Sequence, residues 1–291
     1  MKFNKFATIL GTVAATATVI GMTAPQANAG TLTGGWNYAI DSFNDGTTGN
    51  TIGQNSAFEF YGIAIKEEAD KIYVALNTNL ALGGKAYSNA GNGLVGYGDL
   101  LFNFTGNNVT NANGSFFGIR FDDKNDASVG STGVYSGVTA KSVASSNVGY
   151  STLSSYASAV SGLGGSASMA DLSQSDAYFN DQTLNVIQSG TKVGDIEYIN
   201  DFSQLNLDFG QFGATGSQTL GFSFDKALLP NGDYLAQLLA ECANDGMAIS
   251  GKFTGNSGGS EDVPEPITGL IAAAGLGGAV LRKTKKSKKN A

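Results

Sequence analysis

The central part of this 291-residue chain is predicted to be all-β: a mostly antiparallel, jelly-roll-like β-sandwich with one or two short helices. Three observations predict it. Apolar residues alternate with period two in several separate segments. Turns rich in Gly, Asn, Asp and Ser separate those segments. Helical periodicity is scarce. The 41 glycines follow no Gly-x-y period, which excludes collagen, and apolar runs persist throughout, which argues against disorder.

The segments follow in order. In 58–66, Tyr61, Ile63 and Ile65 are expected on one face. In 71–77, Ile72, Val74 and Leu76 oppose Lys71, Tyr73 and Asn77. Residues 67–70, Glu-Glu-Ala-Asp, read as the hairpin connection between these two runs. Leu100, Phe102 and Phe104 form the next face, then Phe117, Ile119 and Phe121. Later come Leu205, Leu207 and Phe209, and then Leu220, Phe222 and Phe224. Each run buries one side and wets the other.

The best helix lies at 151–161, where Leu153, Tyr156 and Val160 share a face and Gly162 stops the pattern. Residues 183–189 read as a short helical turn. The segment 234–242 has helix-favouring residues, but flanking alternation tips it to strand.

Composition excludes much chemistry. Histidine is absent from the entire chain, so Ser-His-Asp and Cys-His machinery cannot be built, and typical zinc sites lack their ligands. Cys242 is the only cysteine, so no intrachain disulfide forms. It is read as a buried core residue, with pairing between chains left open. The chain has 17 basic and 24 acidic residues. The first 29 residues hold two lysines, and the tail from Val263 holds six basic residues and Glu265. Residues 30–262 therefore keep nine basic and 23 acidic residues, a net charge of −14. Such a domain does not attract nucleic acid.

The acids gather in loops. Asp122, Asp123 and Asp126 lie in Asp-Asp-Lys-Asn-Asp after a strand and are candidate calcium ligands, although EF-hand spacing is missing. Asp41, Asn44 and Asp45 before Gly46 form a second such loop, and Glu241, Asn244 and Asp245 a third. For each, a solvated turn is the simpler reading. Glycoside hydrolysis needs two carboxyls facing across a cleft, and no pair among the 23 acids is identifiable as one. Trp36 and several tyrosines, if exposed, suit stacking on sugars. No catalytic residue and no cofactor is expected.

Both ends carry processing signals. Lys2 and Lys5 precede an apolar run from Phe6 to Met22, and Ala27-Asn28-Ala29 is a small-x-small cleavage site, so 1–29 reads as a secretory signal peptide. Residues 30–252 form the secreted domain, and 253–263 a Gly/Ser linker. Residues 264–291 combine Pro264-Glu265-Pro266, an apolar helix over 267–281, and a basic end. Fifteen helical residues reach about 22 Å, short of the roughly 30 Å hydrocarbon core. That suits a transient anchor, with Arg282 and the lysines on the cytoplasmic side.

This three-part tail resembles the PEP-CTERM sorting signal of bacteria, which a membrane-embedded exosortase recognises and removes. One departure is Ile267, where Ser or Thr is more usual. The resemblance extends inward. The segments Trp36 to Gly46, Gly96 to Leu100, Phe222 to Lys226, Leu228 to Gly232 and Glu241 to Asp245 are similar to those of cyanobacterial exosortase-dependent surface proteins. The resemblance implies export through the Sec route and signal peptidase, and cleavage by exosortase. It also implies an exported β-rich protein of the cell surface or extracellular matrix with no known catalytic residues, so a structural or adhesive, non-catalytic role is expected, and surface polysaccharide is a candidate partner. The alternatives are a secreted carbohydrate- or calcium-binding module and an acid/base glycoside-active enzyme.

Overall fold

A computed structural model of the chain describes residues 30–254. In chain order its elements begin with β1 (Thr31–Thr33), β2 (Trp36–Ile40), the short β3 (Thr47–Thr48) and β4 (Thr51–Ile52), β5 (Phe60–Glu67) and β6 (Lys71–Thr78). Next come β7 (Lys85–Ala86), β8 (Leu94–Val95), β9 (Leu100–Asn103), helix α1 (Val109–Ala112), β10 (Phe116–Arg120) and β11 (Gly133–Lys141). Helix α2 (Leu153–Gly162), β12 (Val186–Gly194), β13 (Glu197–Tyr198), β14 (Gln218–Asp225), β15 (Gly232–Leu239) and β16 (Gly246–Phe253) complete the order. Two six-stranded sheets dominate, ordered β1-β2-β5-β6-β14-β13 and β12-β11-β10-β9-β15-β16. Neighbouring strands in both are antiparallel. The protein is an all-β sandwich.

Period-two alternation builds the space between the sheets. Ile63, Ile65, Ile72, Val74, Leu76, Phe222 and Phe224 of the first sheet meet Leu100, Phe102, Ile119, Leu238, Met247 and Ile249 of the second. Phe121 stacks on Phe222 with ring centroids 5.0 Å apart. The 67–70 hairpin joins β5 to β6 as expected, and 234–239 is strand within β15.

Both outer faces are also covered. Helix α2 buries Leu153, Tyr156 and Val160 against the second sheet, together with Leu101, Phe116, Val138 and Ile187. Thr152 caps α2: its side chain accepts from the Ser155 amide, and the Ser155 hydroxyl reaches back, a reciprocal arrangement that fixes the helix start. On the first sheet's outer face, Phe209 and Ala214 pack against Trp36, Tyr38, Tyr61 and Ala75.

Four expectations need correction. Tyr61 does not share a face with Ile63 and Ile65. The β5–β6 register shifts between Phe60 and Gly62, and this bulge puts Tyr61 on the outer face. Residues 205–209 are not a strand but an irregular segment lying on that face. They join no strand ladder: the Leu205 amide turns back to the Phe202 carbonyl at 2.9 Å, the Leu205 carbonyl accepts from Trp36 Nε1 at 2.7 Å, and the Asp208 amide donates to the Tyr38 hydroxyl at 2.9 Å. Residues 183–189 form no helical turn; β12 begins at Val186 and pairs with β11. Trp36 is fully buried and offers no platform for sugars.

Phe253, placed in the linker by composition, ends β16 and is buried. Thr254 is held beyond it, its amide donating to Glu67 Oε1 at 2.9 Å. The signal segment 1–29, the linker from 255 and the sorting segment 264–291 lie outside the described residues. Among the described residues no helix is long and apolar enough to cross a membrane.

Truncating Phe222 to Ala removes a ring from the centre of the sandwich. The expected cost is about 3–5 kcal/mol of stability, read from the shift in urea unfolding midpoint at unchanged slope.

Candidate functional site

Two of the acidic loops, 41–46 and 241–245, meet at one end of the sandwich. Asp41 follows β2, and Asp45 lies four residues further on. Glu59 immediately precedes β5, and Asp245 sits in the turn from β15 to β16. Asp41, Asp45 and Asp245 each bring a carboxylate oxygen to within 4.8 Å of those of the other two. Glu59 stands beside them. All four are buried, Asp45 and Glu59 completely and Asp41 to 6 % exposure.

Backbone amides orient these carboxylates. Ala170 N donates to Asp41 Oδ1 at 2.9 Å, and Ser168 N to Asp45 Oδ2 at 2.7 Å. Gly46 N donates to Glu59 Oε2 at 2.8 Å, and Phe60 N to Asp245 Oδ2 at 2.7 Å. The Tyr156 hydroxyl of α2 reaches Asp245 Oδ1 at 3.3 Å. The two loops are themselves tied, because Thr47 N donates to the Asn244 carbonyl at 3.1 Å and Asn244 Nδ2 to the Thr47 carbonyl at 2.9 Å. Glycine is required at position 46, where a Cβ would stand 2.5 Å from Glu59 Cα.

One oxygen of each of three carboxylates is left over. Asp41 Oδ2, Asp45 Oδ1 and Glu59 Oε1 are buried and accept no hydrogen bond. Among the described residues no lysine or arginine forms an ion pair with any of the four. Burial therefore raises their proton affinity: Asp41 to about 7, Glu59 to about 8, Asp45 to about 9, and Asp245 well above its ordinary value. After burial, the next cause for Asp45 is the charge of Asp41 and Glu59. For Asp245 it is the charge of Asp45, Asp41 and Glu59.

The other sequence-predicted residues are dispersed or bonded. Asp122 is buried, with Oδ1 accepting from Lys124 N at 2.9 Å and Oδ2 without a partner, but it stands alone, with no second unpartnered carboxylate in its loop. Asp123 is exposed, with Lys124 Nζ 3.6 Å away. Asp126 accepts Asn92 Nδ2 at 2.8 Å and Asn147 Nδ2 at 3.0 Å. The convergent three-acid group among the described residues does not include them. Glu241 of the third loop is buried, accepting amides from Gly96 and Asp126 on its two oxygens; burial pushes it up to about 7. Ala27, Ala29, Pro264, Glu265 and Pro266 lie outside the described residues. Cys242 is buried and free, its thiol pushed up to about 12 by burial. Sequence reasoning missed Glu59. The one signal for it was a lone carboxylate inside the apolar run Ala57-Phe58-Glu59-Phe60-Tyr61.

No protein-family model, no curated protein and no solved structure matches the chain.

Two outcomes are expected. Unfolded Asp and Glu titrate near 4, so between pH of about 4 and 9 the metal-free folded protein binds more protons than the unfolded chain. Its stability is then greatest at the acid end of that window and falls as pH rises. Urea midpoints in chelator at pH 5, 7 and 9 check the slope. Cys242 reacts with a thiol reagent only on unfolding, and labelling with and without denaturant reads this directly.

Proposed function

We propose that the chain is an exported, exosortase-sorted surface or extracellular-matrix protein whose β-sandwich serves a structural or adhesive, non-catalytic role. The reading is supported first by the ordered ends of the sequence: a cleavable apolar leader, and Pro264-Glu265-Pro266 followed by an apolar segment and a basic tail. The single structural observation behind the non-catalytic part is where the most perturbed acids sit. Glycoside hydrolysis needs two carboxyls flanking a substrate-sized gap. Asp41, Asp45, Glu59 and Asp245 are instead sealed in the fold, each bonded to a backbone amide.

The way the domain ends suits a tethered module. The last strand, β16, pairs with β15 along its whole length. Thr254 beyond it is tied to Glu67, which also forms an ion pair with Lys226. Tension applied at the C-terminus therefore loads a full strand ladder before it reaches the core.

Intact mass and fractionation of the protein from its host test this reading. Loss of residues 1–29 and of the chain beyond about Pro266, in the envelope or medium, is the expected result. Replacing Pro264, Glu265 and Pro266 with Ala is expected to leave the tail attached and the protein in the membrane fraction. Unchanged processing in that variant would overturn exosortase sorting.

A further inference from the structure

We propose that Asp41, Asp45 and Asp245, with Glu59 beside them, form a binding site for calcium that fastens the two sheets together at one end of the sandwich. The site goes beyond the export reading and stands without it.

The geometry suits a single ion. Calcium holds oxygen ligands at about 2.3–2.6 Å, so two ligands on opposite sides of one ion are about 5 Å apart. Three carboxylate oxygens within 4.8 Å of one another fall inside that span. The donors are all oxygen: the chain has no histidine, and the one thiol is outside the group. Oxygen-only sites select hard cations over zinc or copper. Magnesium keeps several of its waters, and full burial of Asp45 and Glu59 leaves little room for them.

An acidic cluster alone would not carry this. The second observation is the pattern of satisfied and unsatisfied oxygens. In Asp41, Asp45 and Glu59 one oxygen accepts a backbone amide, from Ala170, Ser168 and Gly46. The other oxygen of each is buried with no donor at hydrogen-bond distance; the Ser168 side chain near Asp41, the Tyr156 hydroxyl near Asp45 and the Asp45 amide near Glu59 are neutral groups that supply no counter-charge. Buried polar atoms are almost always satisfied. Two of these residues, Asp41 and Asp45, belong to the converging three-acid group, and Glu59 adjoins Asp45 through the Gly46 amide; with no ion pair to a lysine or arginine among the described residues, their open oxygens lack a cationic partner. Asp245 differs: Phe60 N donates to its Oδ2, and Gly246 N and the Tyr156 hydroxyl to its Oδ1, so it brings a shared oxygen and a charge to the group, while the open oxygens are those of Asp41, Asp45 and Glu59.

The ligands come from both sheets. Asp41 and Glu59 flank β2 and β5 of the first sheet, while Asp245 precedes β16 of the second. A bound ion therefore links elements that no disulfide can link.

The test uses the full chain, purified in chelator and exchanged into chelator-free buffer at pH 7.5. Added Ca²⁺ is expected to raise the thermal midpoint by about 5–10 °C at about 100 times Kd, the shift that linkage gives a domain of this size. Tb³⁺ in place of Ca²⁺ is expected to give tyrosine-sensitised emission, because the Tyr156 hydroxyl lies 3.3 Å from Asp245, and excess Ca²⁺ is expected to quench it. Asp45→Asn keeps an oxygen for the Ser168 amide but removes the charge. It is expected to fold and to lose both responses, and Asp41→Asn serves the same purpose should Asp45→Asn fail to fold. The exposed Asp195→Asn is expected to retain both. No midpoint shift and no emission would mean that protons alone neutralise the cluster. Responses retained in the folded Asn variants would put the ion on surface acids. Either result overturns the proposal.

Discussion

Two sheets that share no covalent bridge must be held in register by something other than apolar contact, which is non-directional. In this protein carboxylates that accept backbone amides contribute that direction, one of them between the sheets and others between a sheet and its loops. Asp245, in the turn that joins β15 to β16 of the second sheet, accepts the Phe60 amide at the start of β5 in the first. Within the second sheet, Asp99 ahead of β9 accepts the Ile187 amide of β12, and the half-buried Asp171 accepts the Ser250 amide of β16. Asp41 and Asp45 fasten the 168–170 segment. Each bond spans a long stretch of sequence and fixes one backbone position to another, as a disulfide would. A hydrogen bond to a charged group contributes about 1.5–3 kcal/mol, against the desolvation cost of burying the charge. Where a carboxylate spends both oxygens on amides, as Glu241 does, the balance closes locally. At Asp41, Asp45 and Glu59 it does not, and that deficit gives the cluster its chemistry.

The same arrangement explains what the sequence reveals of the fold. Strands facing one core and one wet side are legible by alternation, and Ile72, Val74 and Leu76 fall where period two puts them. The rule weakens because both outer faces of this sandwich are covered. A strand such as β5, buried on both faces along most of its length, has no wet side to mark its phase, and the bulge at Tyr61 passes unseen. The converse error has the same origin. Leu205, Leu207 and Phe209 alternate because the segment lies flat on a sheet, not because it joins one. Its carbonyl and amide groups meet Trp36 and Tyr38 side chains, which hydropathy does not encode.

The site was half legible. Loops 41–46 and 241–245 stand out as acid-rich turns, but nothing local says that they touch. Their meeting depends on the order of strands, with β2 and β5 adjacent in one sheet and β15 and β16 at the edge of the other. Glu59 is the harder case, since a single acid between phenylalanines reads as a strand residue on a wet face. Only the fold shows that there is no wet face there, and that Gly46 leaves space for the carboxylate beside its own amide. In the loop favoured by local density, 122–126, Asp122 caps the Lys124 amide, Asp126 bonds Asn92 and Asn147, and Asp123 faces solvent. Local acid density marks turns; convergence of unsatisfied oxygens marks a site.

That distinction bears on when the site exists. None of its parts is complete in one element: Asp41 and Asp45 come with β2, Glu59 with β5, Asp245 with the β15–β16 turn, and the orienting amides of Ser168 and Ala170 from a fourth segment. A half-assembled domain offers isolated, solvated acids with ordinary proton affinity and weak hold on any cation. Only when the sheets dock are the four carboxylates desolvated together, and the demand for a counter-charge arises with the last step of assembly. Neutralisation, whether by protons or by an ion, is thus coupled to the docked state rather than to either sheet alone. In a chain with no histidine and one cysteine, this coupling gives a sandwich without disulfides a directional lock that closes only on the correct pairing of its sheets.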